Sequence, residues 1–196
     1  MSKGRYEPIS YDLLREASQL NRRNYQRSAL IIAVAALEVG AKECVARIVP
    51  DAAWLVNEAP MPPVTSILKA FLPQMFDSMS IPKTYTIPKK TLTHIETIVK
   101  ARNTFVHTFP RRERYEKAVA ETTFLKVEET VNVVRDVLLL LDIYAGNFKA
   151  YERLTSTMVQ LLNEQNGNKP LPPLVRPQDP GRPGLSGERR AGDRDR

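Results

Sequence analysis

The sequence predicts an all-α protein, an up-and-down bundle of four to five helices. Apolar residues recur at helical spacing along most of the chain, and no segment alternates apolar and polar residues as a half-buried strand would. Prolines and glycines divide the chain into segments of helix length joined by short connections. Hydrophobic residues make up 42% of the 196 residues, which is enough for the core of one domain.

The first predicted helix begins near Tyr11, after Ser10, a residue type that caps helices, and ends before Pro50. Its first half is polar and basic. Its second half, residues 29–41, is apolar on nearly every side, which indicates a buried helix. Four small residues in this half would let another helix approach closely, namely Ala33, Ala36, Gly40 and Ala41.

Prolines bound the next two helices. The second is predicted over residues 64–76 and should be disturbed by Pro73, with a loop over residues 77–88. The third is predicted over about residues 90–108. It should end there because Phe109 precedes Pro110, and a residue before proline is disfavoured in helical geometry.

Glycines end the last two helices. The fourth is predicted over residues 123–145, with Gly146 as its C-terminal cap, and the fifth over residues 147–166, stopped by Gly167. Residues 167–196 carry seven basic and four acidic residues and little apolar content, so we expect a disordered basic tail. The predicted division is a helical domain at 1–166 and a tail at 167–196, the tail being a solvated segment rather than a specific RNA-binding arm.

Composition narrows the class of protein. The net charge of +7 permits a polyanionic partner. Cys44 is the one cysteine, which excludes an intrachain disulfide and favours a reducing compartment. The start of the chain lacks the apolar core of a signal peptide, and the longest apolar run, residues 29–37, is too short to span a bilayer. We therefore expect a cytoplasmic protein without a membrane partner.

Other chemistry has little support in the sequence. Two histidines and one cysteine do not form a ligand cluster for a metal ion. The chain also lacks a glycine-rich phosphate loop and a G-x-S-x-G nucleophile motif. We expect neither a metal nor a cofactor.

The end of the third helix holds the candidate catalytic residues, Arg102 and His107. At about 100° per residue, Arg102 lies in the middle of the apolar stripe, and Asn103 and His107 lie on its polar edge. A guanidinium in an apolar stripe needs a partner, because an isolated buried charge costs several kcal/mol. Glu38, the charge in the apolar half of the first helix, is the candidate partner.

A permanent cation beside a group that titrates near neutral pH suits metal-free cleavage of RNA. Asn103 precedes His107 by four residues, so it can orient the imidazole. Two plainer interpretations stay open: Arg102 as a structural ion pair and His107 as an ordinary helix-end residue. His94, at the edge of the stripe, is interpreted as structural, and Cys44 as a small buried hydrophobe.

Two stretches resemble HEPN domains (higher eukaryotes and prokaryotes nucleotide-binding). Arg102-Asn103-x-x-x-His107 resembles the R-N-x-x-x-H form of the HEPN motif. Residues 27–38, an apolar run ending in Ala-Leu-Glu, resemble the first helix of the RiboL-PSP and ApeA-like branches. The order of the helices is also similar over residues 10–165.

This resemblance implies a helical homodimer whose two motif helices form a composite RNA cleft. It implies a metal-independent endoribonuclease, a toxin or phage-defence effector, with a cognate antitoxin as a further partner. Arg102 and His107 would be catalytic, and Asn103 would support them. Apart from the resemblance, we expect Glu38 to support the site as the partner of Arg102, and the basic loop after the motif, with Arg111, Arg112 and Arg114, to bind RNA.

Two alternatives remain at this point. The first is a non-catalytic HEPN-like module that binds nucleotide or RNA or serves for dimerisation, because a fold does not decide a function. The second is a helical scaffold in which Arg102 and Glu38 form a plain ion pair.

Overall fold

The computed structural model describes residues 8–49, 62–79, 81–107 and 126–174. These ranges contain helices and connecting segments and no strand, so the predicted all-α class is confirmed. The helices are α1 (Ile9–Arg22), α2 (Gln26–Ile48), α3 (64–79), α4 (Lys89–His107), α5 (Val127–Tyr144) and α6 (Ser156–Gln165).

The first predicted helix is two helices, and the prediction of one was wrong. Asn24 takes the left-handed conformation, with φ of 64°, between α1 and α2. The backbone N–H of Tyr25 donates to the carbonyl of Leu20 and that of Asn24 to the carbonyl of Asn21, both at 2.9 Å. This is a Schellman ending built on asparagine instead of glycine. Neither glycine nor proline marks the break in the sequence, and Ser10 lies inside α1 rather than at its cap.

Helix α1 folds back along α2, and α5 runs parallel to α2. The backbone N–H of Ile9 and the hydroxyl of Ser10 donate to Glu43, near the far end of α2. Gly40 lies between both neighbours: a Cβ there would overlap the Leu138 side chain and lie 3.3 Å from the Ser10 Cβ. The predicted close approach on the small residues of α2 is therefore confirmed.

Helix α3 contains a π-helical stretch, Ile67–Phe71, just before Pro73. Proline has no N–H to donate and its ring crowds the carbonyl four residues earlier, so a wider turn relieves the clash. This confirms the predicted disturbance. The helix continues to Met79, and Lys83–Tyr85 forms a 3₁₀ turn, so the prediction of a loop over 77–88 was wrong for those residues.

Helix α4 begins at Lys89, one residue before its predicted start, and is described as far as His107. Helix α5 ends at Tyr144, close to the prediction, but it begins only at Val127, after an extended Lys126, so the prediction of a helix at residue 126 was wrong. Ile95 and Ile98 of α4 are fully buried, as is most of α5. Gly146, with φ of 87°, ends α5, and its N–H donates to the carbonyl of Ile143 at 2.9 Å, which confirms the predicted cap. The predicted residues 108–110 and 123–125 lie outside the described residues.

The fifth predicted helix was wrong in its first half. Phe148–Arg153 is a 3₁₀ helix, and α6 begins only at Ser156. The hydroxyl of Thr155 accepts the Met158 N–H at 3.1 Å, and the Thr155 N–H and hydroxyl donate to Asp136, a buried carboxylate of α5. This tertiary anchor starts a new helix where sequence periodicity alone favours a continuous one. Gly167 ends α6 as predicted.

The described start of the predicted tail packs against the helical domain. Leu171 and Leu174 pack against the core, and the Tyr85 hydroxyl donates to the carbonyl of Pro172 at 2.8 Å. The helical unit therefore extends to at least residue 174, and residues 175–196 lie outside the described residues. Among the helices described, none combines the length and apolar character needed to cross a membrane.

Candidate functional site

The Arg102–His107 motif occupies the last two turns of α4, where this helix meets α2. Ile95 and Ile98 anchor the preceding turns in the core. The motif backbone is therefore the end of a helix fixed from one side by packing.

Arg102 forms the ion pair that the sequence predicted. Its Nη2 donates to Oε1 of Glu38 on α2, and the two side chains are 18% and 39% exposed. A guanidinium has five N–H donors. Within the described ranges, the polar partner of the Arg102 side chain is Glu38. The cation is thus held in place while part of its donor capacity stays accessible.

The surface around this pair mixes a cation, an amide and apolar side chains. The Arg27 guanidinium carbon lies 6.0 Å from the centre of the half-buried Phe105 ring, a cation–π distance. Asn103 is exposed, Val106 is 47% exposed and Tyr25, near Arg27 in sequence, is 61% exposed. The described elements therefore leave an apolar side chain, Val106, exposed near the described end of α4.

Not every predicted site residue falls among the described side chains. His107 is the last described residue of α4, and its side chain is not described. The predicted RNA-binding residues Arg111, Arg112 and Arg114 lie outside the described residues altogether. The structure brings Arg102 and Glu38 together and leaves Asn103 exposed one residue further along.

His94, the second histidine of α4, has the setting of a structural residue. It is half-buried, and its Nε2 lies 3.4 Å from the hydroxyl of Thr130 on α5. Burial lowers its pKa below the ordinary 6.5, and the nearby Glu129 carboxylate partly opposes that shift. Its neutral form is therefore favoured in the fold.

A polar network at the other end of α2 was missed by sequence reasoning. Arg47 donates to Asp142 at 3.1 Å, and the Tyr11 hydroxyl donates to the same carboxylate at 2.9 Å. Burial, together with this carboxylate, raises the pKa of Tyr11 far above its usual range. Glu43 and Arg47, four apart on α2, were a usable signal, but their partner Asp142 stands in a leucine run that suggested only core.

Two other features have settings that do not suit cleavage of RNA. Burial raises the pKa of Cys44 to about 12, and its Sγ donates to the carbonyl of Leu141, so it is the buried small residue predicted. A cleft of about 630 Å³ beside the start of α5 is lined partly by three carboxylates, Glu128, Glu129 and Asp136, which disfavour a phosphate backbone. Among the described residues, no three His, Cys, Asp or Glu side chains are arranged so that they could hold a metal ion together.

The described fold and site define an all-α protein with an arginine–glutamate pair at the end of a helix. Comparison with protein-family models, with curated proteins and with solved structures finds no match to this chain. The HEPN resemblance therefore depends on the residues of the chain alone.

Proposed function

We propose that this chain is a HEPN-like, metal-independent endoribonuclease that acts as a homodimer, in the role of a toxin or phage-defence effector. One observation carries the proposal: Arg102 is fixed by Glu38 from the neighbouring helix and yet remains 18% exposed, on the helix that also carries His107. A cation oriented in advance beside an accessible surface is what stabilisation of a phosphorane requires.

The proposed reaction is attack of a ribose 2′-oxygen on the adjacent phosphorus, which breaks the bond to the 5′-oxygen. His107 takes the 2′-OH proton or gives a proton to the leaving 5′-oxygen, and water carries the other of these two protons. Arg102 stabilises the extra negative charge on the non-bridging oxygens. The products are a 2′,3′-cyclic phosphate and a 5′-hydroxyl, and DNA is not a substrate because it lacks the attacking group.

A homodimer resolves a geometric difficulty in this mechanism. Arg102 and His107 are five residues apart, so they differ by about 140° around the helix and about 7.5 Å along it. One helix presents them poorly to a single phosphate, whereas two helix ends meeting at a two-fold axis can combine them. The exposed Val106 and Tyr25 supply apolar surface for such a contact.

Cleavage of a labelled single-stranded RNA in EDTA tests the proposal. We expect the wild type to give products with 2′,3′-cyclic phosphate ends, and Arg102→Ala and His107→Ala each to lose activity by about 10²–10³-fold or more while staying folded. His94→Gln, a change of the other histidine on α4, and Arg22→Ala, a change of an exposed arginine, are the matched controls. Cleavage that persists in either motif variant would exclude this site.

The non-catalytic alternative has one observation in its favour, since the same Arg102–Glu38 ion pair serves a binding module equally well. It predicts saturable RNA binding without cyclic-phosphate products, even at excess protein. The scaffold alternative predicts no RNA affinity and a large stability loss in Arg102→Ala. For the toxin role, we expect growth arrest when the wild type is expressed in cells and normal growth with His107→Ala.

A further inference from the structure

A proline-rich segment of the chain lies in an aromatic groove, independently of the proposed ribonuclease site. The segment, here called the strap, is residues 169–174, Lys-Pro-Leu-Pro-Pro-Leu. The groove is lined by Tyr85, Phe148 and Tyr151, with Lys149 and Glu152 beside them.

The groove is a preformed surface. The Tyr85 and Tyr151 rings meet edge to face, with centres 6.0 Å apart and planes at 77°. The buried Tyr144 hydroxyl donates to the Tyr85 carbonyl at 2.6 Å, and the Gln165 amide donates to the carbonyl of Thr86 at 3.2 Å. Residues of α5 and α6 therefore hold the 3₁₀ turn that carries Tyr85, and neither of these bonds involves the strap.

The strap has the sequence of a polyproline II ligand. Its three prolines fix their own φ, and each residue before a proline is restricted to extended conformations. A polyproline II helix has three residues per turn, so Leu171 and Leu174 lie on the same face. Both leucines pack against the core, as that period requires.

The contact with Tyr85 is also typical of this recognition mode. Domains that bind proline-rich peptides use aromatic grooves whose polar groups bond to peptide carbonyls. Here the Tyr85 hydroxyl donates to the Pro172 carbonyl at 2.8 Å. Burial raises the pKa of Tyr85 to about 12, so the hydroxyl stays protonated and remains a donor at neutral pH.

The strap does not fill the groove. A cavity of about 310 Å³ remains between residues 171–174 and the side chains of Phe148 and Tyr151. Within the described ranges, the Tyr85 hydroxyl donates the one side-chain hydrogen bond to residues 171–174, and the Asn166 amide, just before the strap, donates to the carbonyls of Lys169 and Pro170 at 3.3 and 3.2 Å. An extended segment held this way can exchange with another of the same chemistry.

We propose that this groove is a docking site for a proline-rich segment of a partner protein, with leucines three residues apart, and that the strap occupies it as an intramolecular competitor. A short tether gives the strap an effective concentration on the order of millimolar. Such a competitor weakens binding of a partner segment with an intrinsic Kd near 100 µM by about tenfold. The strap then limits docking to partners that are abundant or multivalent.

Fluorescence anisotropy on the full chain tests this, with a labelled peptide of the sequence of residues 168–175 as the probe. The double variant Leu171→Asp, Leu174→Asp should release the strap and bind the peptide about tenfold more tightly than the wild type. A peptide whose prolines are replaced by alanine should bind neither protein. Equal affinity for the two proteins, or equal binding of the two peptides, would contradict the proposal.

Tyr85→Phe, introduced into the double variant, removes only the hydroxyl. We expect peptide affinity to fall about fivefold, the effect of one hydrogen bond of about 1 kcal/mol. Thr97→Val in the same background, which also removes one hydroxyl, is the control, since Thr97 is exposed on α4 and lies outside the groove, and it should leave affinity unchanged. Unchanged affinity in Tyr85→Phe would exclude the groove as the binding site.

If the double variant loses its helical circular dichroism, Pro172→Ala replaces it. This change weakens the preformed extended conformation without adding charge, so peptide affinity should rise about threefold over the wild type. An unchanged affinity would overturn the proposal. Dimers that form by exchange of straps, seen by size exclusion as a concentration-dependent species lost in Pro172→Ala, would assign the groove to a second copy and also overturn it.

Discussion

Helix α2 carries two acid–base sites that differ in the burial of their carboxylates and in the number of helices they connect. At Glu38, one carboxylate oxygen holds Arg102 of α4, and both side chains keep partial access to solvent. At Glu43 and Arg47, the polar groups connect three helices through Asp142 and the start of α1. The two sites are five residues apart on the same helix, so the local helix cannot explain the difference.

The difference lies in the partners of the carboxylates. After Gly40, the Asp142 carboxylate, 8% exposed, accepts hydrogen bonds from Tyr11 of α1 and from Arg47, whose own side chain is 41% exposed. Before Gly40, Arg102 and Phe105 of α4 contact Glu38 and Arg27 of α2, and both members of the charged pair there are partly exposed. We infer that the Asp142 network stabilises the fold and that the Arg102 pair retains capacity for a ligand.

The largest stability loss is expected from Asp142→Ala. Asp142 is 8% exposed, and its removal leaves the Tyr11 hydroxyl and the Arg47 guanidinium without their acceptor. We expect a loss of about 2–4 kcal/mol in the free energy of unfolding, measured by urea denaturation. RNA cleavage at a temperature where the variant is folded should match the wild type.

Asp12→Ala is the control for this prediction, because Asp12 pairs with Arg15 on the exposed side of α1, where ion pairs contribute about 0–1 kcal/mol. Similar losses in the two variants would show that the Asp142 network does not have the structural role inferred here. Loss of cleavage in folded Asp142→Ala would contradict the separation between a structural site at Asp142 and a ligand site at Arg102.

Gly40→Ala tests the close packing of helices between the two sites. The sign of its change in the free energy of unfolding is informative. Helix propensity alone predicts a gain of about 1 kcal/mol from replacing an internal glycine by alanine. The added Cβ, however, would overlap Leu138, whose side chain is itself buried, so we expect a net loss of about 1–3 kcal/mol. Ala46→Gly, at a half-buried position on the same helix, measures the propensity effect alone. A Gly40→Ala protein more stable than the wild type would show that α1 and α5 do not require this close approach.

Glu38→Gln separates positioning of Arg102 from stability. The amide keeps an acceptor but loses the charge that fixes the guanidinium, so we expect kcat for RNA cleavage to fall about tenfold, or about 1.4 kcal/mol, with KM little changed. The free energy of unfolding should change by less than about 1 kcal/mol, because the pair is partly exposed. Glu43→Gln should do the reverse, with lower stability and unchanged kcat. A change in KM alone would mean that Glu38 affects RNA binding rather than the orientation of Arg102.

Sequence reasoning succeeded where one local rule decides the outcome. Gly146 and Gly167 end helices because glycine tolerates positive φ, and Pro73 perturbs α3 because it lacks an N–H. The Arg102–Glu38 pair was predictable because both charges stand in apolar stripes, and each needs a partner.

It failed where a tertiary contact decides between two local structures. Asparagine tolerates the left-handed conformation at Asn24, but its presence in the sequence does not by itself predict a helix break. The packing of α1 against α2 stabilises the break. Asp136, distant in sequence, starts α6 at Thr155. The strap was predicted to be disordered because its composition cannot form a core, yet two leucines with a period of three need only an aromatic groove formed by other segments.

The smallest effect on stability is expected from His94, near the beginning of α4. Arg102 on this helix is in the accessible site, whereas His94 is packed against α5. Because burial lowers the pKa of His94 in the folded state, the unfolded state binds the proton first as the pH falls. The stability associated with neutral His94 is therefore complete above its unfolded pKa of 6.5 and declines as the pH falls from there toward the lower folded pKa.

The advantage of the wild type over His94→Gln in free energy of unfolding should be larger at about pH 7.5 than at about pH 5.5. Glu129→Gln removes the carboxylate that favours protonation, so it should lower the folded pKa further and extend the decline to more acidic pH. An advantage that grows on acidification would mean that His94 is stabilised as the imidazolium, and the α4–α5 contact at Thr130 would then be an ionic site rather than a packed one.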